Sequence, residues 1–180
     1  MIENNSTTPS VAGFVRFKEC FDAVLLKDEF MALASGSRVT IGHRITQAVY
    51  SIWREENLLG DNDVGSISPE EIEAIYQGCF WVPSHASECP RPVDLLVFDC
   101  AVHSGARRAV EILQRTLGVS CDGIFGPLTR GALEAADGCA IARKFQDVIG
   151  QRSPGSERKN PRRPQVDGTE QGRRTMRVAA

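Results

Sequence analysis

Asp94-Leu95-Leu96-Val97-Phe98-Asp99-Cys100-Ala101-Val102-His103-Ser104-Gly105 is the stretch on which the fold turns. With Val93 before it, apolar side chains fall on nearly every side of a helix. A helix that is apolar all round lies at the centre of a domain rather than on its surface. Pro90 and Pro92 stop whatever precedes it, and Gly105 breaks the helix after Ser104.

Downstream, Val110, Leu113 and Leu117 mark the inner stripe of a second helix that stops at Gly118. Cys121-Asp122-Gly123 reads as a turn, and Gly126-Pro127 opens a short helix to about residue 136. A last helix over residues 138–149 buries Ile141, Phe145 and Val148.

Upstream, Phe14, Phe17, Phe21, Val24 and Leu25 predict a helix over residues 14–30. Ala34-Ser35-Gly36-Ser37-Arg38 reads as a loop, with room for a small hairpin before Ile45. Thr46 is the N-cap of a helix to about residue 57 that buries Ile45, Val49, Ile52 and Trp53. Ser68-Pro69-Glu70-Glu71 has the pattern of a capping box with proline at the first helical position. The helix it opens should bury Ile72, Ile75, Tyr76, Cys79 and Phe80.

The net charge of -2 hides an asymmetry. Residues 151–180 hold eight Lys or Arg and three Asp or Glu, so a basic tail follows an acidic body. The tail, rich in Pro, Gly and Arg, is expected to be disordered. No nucleic-acid motif accompanies it, so a nucleic-acid partner is not expected. Of the six cysteines, Cys20, Cys79 and Cys100 fall on apolar helical faces and read as free core thiols; export would leave disulfides open. Neither a zinc-like Cys/His spacing nor any other cofactor motif is present, so metal and cofactor are both expected to be none. Residues 1–13 lack an apolar core of the Sec type, and no run of 18 apolar residues predicts a membrane span.

The segment Val97-Phe98-Asp99-Cys100-Ala101-Val102-His103-Ser104-Gly105 resembles the F-D-x-A-V-N-S-G block of the glycoside hydrolase 108 muramidases. Ala109, Leu113-Gln114-Arg115 and Leu117-Gly118-Val119 continue that likeness. Asp122-Gly123-Ile124-Phe125-Gly126-Pro127-Leu128-Thr129 is similar to the D-G-x-x-G-P-x-T turn of the peptidoglycan-binding region that follows in that family. Ile45-Thr46-Gln47, Tyr50, Ile75-Tyr76 and Trp81 fit its upstream helices. The resemblance implies a mainly α, lysozyme-like fold around a central apolar helix. It divides the chain into a muramidase-like lobe at 14–92, a peptidoglycan-binding region at 93–150 and the tail at 151–180. Glycan strands of peptidoglycan are the implied partner. A holin or a phage-like particle is the implied route from the cytoplasm to the wall.

Glycosidases need a protonated carboxyl beside the scissile oxygen. The family carries it in an E-G-G-Y motif at the end of the first helix, and Leu26-Lys27-Asp28-Glu29 aligns with the approach to that motif, which puts Glu29 on the general acid. Phe30-Met31-Ala32 stands where Gly-Gly-Tyr is expected, the loop ending at Thr40 is shortened and has lost its acidic residues, and His103 replaces an asparagine. No second carboxylate is evident. Thr40, Tyr50, Trp81, His103, Asp122 and Thr129 are the implied substrate-binding residues. Each also has a structural reading: Tyr50 and Trp81 as core, His103 as a hydrogen-bonded helix residue, Asp122 and Thr129 as the internal bonds of a turn. Asp99, inside the central helix, needs a partner, for which Arg107 or Arg108 is expected.

Overall fold

The structure, a computed structural model, describes residues 11–35 and 45–150, with the side chains of 13–28 and 45–150. The expected hairpin before Ile45 and the basic tail lie outside the described residues. Among the described residues the chain is mainly α, without strands: α1 (Val11–Ser35), α2 (Gln47–Glu56), α3 (Pro69–Tyr76), α4 (Val93–Ser104), α5 (Ala106–Leu117), α6 (Pro127–Glu134) and α7 (Gly138–Gly150). None of these helices is long and apolar enough to cross a membrane.

The helix starts form as their caps dictate. Thr46 accepts from the Val49 amide. Ser68 Oγ accepts from the Glu71 amide at 3.2 Å, and Glu71 Oε2 accepts from the Ser68 amide at 3.0 Å, closing a capping box. The central helix is α4. Val93, Val97, Phe98 and Ala101 are wholly buried, and α1, α5, α7 and the connector after α3 pack on it. Gly105 ends it at φ 88°, a backbone angle that a side chain would resist, and α5 starts at the next residue.

Two boundaries differ from expectation. Helix α1 runs to Ser35, past the end expected at residue 30. Phe30, Met31 and Ala32 carry no helix-breaking feature, whereas a glycine pair there would weaken the helix. Helix α3 becomes a π-turn at Gln77–Trp81. The wider turn moves the register by about one residue, so Trp81 joins Phe80 inside while Cys79 is only half-buried.

The result is an aromatic cluster beneath α1. Trp81 meets Phe98 edge-on with centroids 5.3 Å apart and lies 5.6 Å from Phe17. Phe21 meets Tyr76 edge-on at 5.3 Å. One contiguous apolar core runs from Phe17 to Phe145, so the two expected lobes share it. Burying each such ring contributes roughly 1.5–3 kcal/mol.

Candidate functional site

Helix α1 places Phe17, Phe21 and Val24 on its inner face. Steps of three and four residues extend that stripe to position 28. Asp28 stands there, its side chain 14% exposed, with Oδ1 3.4 Å from His103 Nε2. One residue earlier, Lys27 Nζ donates to both carboxylate oxygens of Asp99, at 2.7 and 2.8 Å. Asp99 and His103 lie one turn apart on α4, and His103 Nδ1 donates to the Asp99 carbonyl at 2.8 Å. A carbonyl only accepts, so the network assigns a hydrogen to Nδ1. Nε2 therefore faces Asp28, and the contact is attractive when a proton lies between them.

Two α1 residues and two α4 residues thus form one polar cluster, and the backbone of α1 delivers Glu29 immediately after it. The partner of Asp99 is Lys27, not Arg107 or Arg108. The reason is Gly105: α4 ends there, and both arginines belong to α5, which has its own direction. Arg108 pairs with Glu111 at 2.7 Å, and Arg107 reaches Glu111 at 3.5 Å and the Asp122 carbonyl at 3.3 Å.

The other candidates are placed differently. The Glu29 side chain and all of Thr40 lie outside the described residues. Tyr50 is fully buried, and its hydroxyl donates to Glu71 Oε2 at 2.8 Å while accepting from Arg54 at 3.0 Å. Trp81, 3% exposed, belongs to the aromatic cluster. Asp122 and Thr129 come together around Gln114, which is 1% exposed. Gln114 Nε2 donates to Asp122 Oδ1 at 2.7 Å, the Ile124 carbonyl at 2.9 Å and Thr129 Oγ1 at 3.2 Å; its Oε1 accepts from the Gly123 amide at 2.9 Å. The Ile124 amide also bonds Asp122 Oδ1, and this bond, with Gln114, holds the Asp122 carboxyl below its ordinary range. Gly123, at φ 74°, has no room for a side chain, because a Cβ would stand 2.7 Å from Arg107 Cγ. The turn is therefore internally bonded.

Lys27, Asp28 and Gln114 were not among the sequence candidates. Asp28 carried a signal: a carboxylate on the continuation of an apolar stripe. Gln114 carried a related one, a polar amide four residues after Val110 on the buried face of α5. Among the described residues no group of three His, Cys, Asp or Glu side chains is arranged to hold a metal ion. An apolar groove of about 360 Å³ between the start of α4 and α7 is lined by Leu95, Leu96, Ala142 and Arg143 and shares no residue with the Asp28 cluster.

Residues 36–105 match the family model described as glycosyl hydrolase 108. The glycosyl hydrolase 108 match ends with α4, so it includes Asp99 and His103 but not the α1 residues opposite them. Among solved structures, SagA of Brucella abortus is similar at 26% identity with a TM-score of 0.59, over 74% of this chain and 76% of that one. No match was found among curated proteins. The family implies a peptidoglycan-hydrolysing, lysozyme-like glycosidase with a mainly α fold.

Proposed function

We propose that the protein is a muramidase that hydrolyses the β-1,4 bond between N-acetylmuramic acid and N-acetylglucosamine. The observation that supports this reading most is where the family segment ends. Its last helix, α4, carries Asp99 and His103 against the half-turn of α1 that precedes Glu29. In this reading Glu29 protonates the leaving glycosidic oxygen, and water adds to the sugar carbon with loss of its own proton. The protein acts at the cell wall as a phage, prophage or phage-like-particle component, and a holin or the particle itself carries it from the cytoplasm. Peptidoglycan strands are its partner.

A second reading has its own support. Helix α1 continues to Ser35, six residues beyond Glu29, where a glycine-containing opening would admit substrate. That continuity favours a catalytically impaired wall-binding or particle component. Dye release from labelled sacculi by the wild type and Glu29→Gln separates the two. The muramidase reading expects release by the wild type and at least about a hundredfold less by the variant, a loss typical of removing a general acid. Equal release by both removes Glu29 as the acid. No release by either, with the protein still pelleting with sacculi, selects the binding component.

A further inference from the structure

We propose that the end of α2 is a docking surface for the basic segment Arg173-Arg174-Thr175-Met176-Arg177-Val178 of the same chain, an inference independent of the muramidase reading. Helix α2 closes with the two bonds of a Schellman motif. The Leu58 amide donates to the Glu55 carbonyl at 3.1 Å, and the Leu59 amide to the Arg54 carbonyl at 2.8 Å. That ending holds Leu58 in the left-handed region, at φ 58°. Helix α5 closes with the same pair of bonds, from Gly118 to Arg115 at 3.2 Å and from Val119 to Gln114 at 3.0 Å. There the left-handed residue is a glycine, Gly118, at φ 78°. Glycine takes this backbone without steric cost, and leucine does not. Burial does not offset the cost, because Leu58 is 89% exposed. Leu59 beside it is 43% exposed, so two leucines face outward at the end of one helix.

Charge identifies the occupant. Residues 45–90 hold eight Asp or Glu against one Arg and no Lys. That arginine, Arg54, pairs with Glu71, while Lys18 takes Glu73 and Arg130 takes Glu88. Glu55, Asp61 and Asp63 remain as exposed carboxylates beside the two leucines. Asp61 and Asp63 accept from the amides of Asn62 and Gly65, which leaves their charge in place. Residues 151–180 have the opposite charge, and their only large apolar side chains are Val166, Met176 and Val178. Met176 and Val178 stand among Arg173, Arg174 and Arg177. One segment thus offers apolar contact to the leucines and cations to the acidic rim. Residues 151–172 can span up to roughly 70 Å when extended. A body of about 140 residues has a radius of gyration of about 14 Å, so the segment reaches any of its faces. A tether also supplies an effective concentration on the order of millimolar, so weak contacts are enough.

The test is limited trypsin digestion of the full chain, followed by mass spectrometry. Cleavage after Arg174 is read relative to cleavage after Lys159, and that ratio is compared between variants. A docked segment is cut only from its free state. Leu58→Gly keeps the Schellman backbone and removes the apolar side chain, so its thermal midpoint should not fall. The ratio should rise by about fivefold or more in this variant. Leu58→Met should keep the wild-type ratio. Met176→Ser, which leaves the helical body untouched, should raise it as Leu58→Gly does, and so should about 0.5 M sodium chloride on the wild type. An unchanged ratio in both Leu58→Gly and Met176→Ser overturns the proposal and leaves Leu58 for another partner. A ratio that rises in Met176→Ser but not in Leu58→Gly moves the segment to a different surface and overturns it as well. A wild-type ratio that falls as protein concentration rises marks docking on a second copy, which overturns the assignment to the same chain.

Discussion

Replacing Gln114 with leucine tests whether the turn after α5 is a structural unit. Leucine keeps the approximate volume and removes both the donors and the acceptor. The amide of Gln114 has two hydrogens shared among three acceptors, Asp122, Ile124 and Thr129, while its oxygen takes the Gly123 amide. Asp122 and Ile124 are exposed, so water can replace what they lose. Thr129 is 2% exposed and Gly123 is half-buried, so their loss is not compensated. Two poorly compensated groups at about 1–1.5 kcal/mol each, with a few tenths for the exposed contacts, give a loss of about 3 kcal/mol. For a chain of this size each kcal/mol moves the midpoint roughly 2–4 °C, so the midpoint should fall by about 9 °C. Urea and thermal melts followed by far-ultraviolet circular dichroism measure it, with sacculus pelleting in parallel. A loss under about 1 kcal/mol would refute the argument. So would lost pelleting at unchanged stability, because the polar groups of the turn would then serve a ligand.

Acid should weaken the fold through carboxylates with depressed folded-state values. Burial pushes the Glu88 carboxyl up, but hydrogen bonds and charge from His85 and Arg130 outweigh it and hold it below its ordinary range. Arg108 holds the Glu111 carboxyl low against a smaller opposing effect of burial. The unfolded chain then binds more protons, so this stability is complete above the ordinary carboxylate range near about pH 4 and fades as pH falls through the lower folded values. Thermal midpoints from pH 6 to 3 should show a shallower acid limb for Arg130→Met than for wild type; parallel limbs would dismiss the Glu88 pairing. Thiol reactivity should divide in two. Cys121 and Cys139 are exposed, whereas burial pushes the thiols of Cys79 and Cys89 up to about 12 and that of Cys20 up to about 11. Ellman's reagent should titrate two thiols quickly in the native protein and the rest on unfolding, and a fast phase of more than two would contradict the burial.

The helical frame was legible because its signals are local. The capping box at Ser68, the N-cap at Thr46 and the apolar run of α4 each act within one or two turns. What was not legible depends on small changes of register or on distant partners. The π-turn inserts one residue into a helix whose composition gives no sign of it, and this turns Trp81 into the core. The length of α1 depended on Phe30 and Met31, which stand where the family motif has two helix-weakening glycines. The pairing of Lys27 with Asp99 spans 72 positions in sequence, and only the packing of α1 on α4 creates it. Asp28 was visible in principle, since its place on the stripe follows from Phe17, Phe21 and Val24. Motif alignment drew attention to the next residue instead.

The two ends of the α1–α4 contact divide the work. At one end Arg16 forms a bidentate pair with Asp94, which is 2% exposed in the first turn of α4 and also accepts from the Leu95 amide at 2.8 Å. At the other end Lys27 and Asp28 meet Asp99 and His103. The partners rise together in number, so the two helices run in the same general sense, with Phe17, Phe21 and Phe98 between the charged ends. A slip of α1 by one turn would strand the Asp94 carboxylate without its arginine, and an unpaired buried charge costs roughly 3–5 kcal/mol. The buried end therefore sets the register. The Lys27–Asp99 pair imposes no comparable penalty, because water can receive both groups if they part, whereas Asp28, its side chain 14% exposed, depends more on its place against α4.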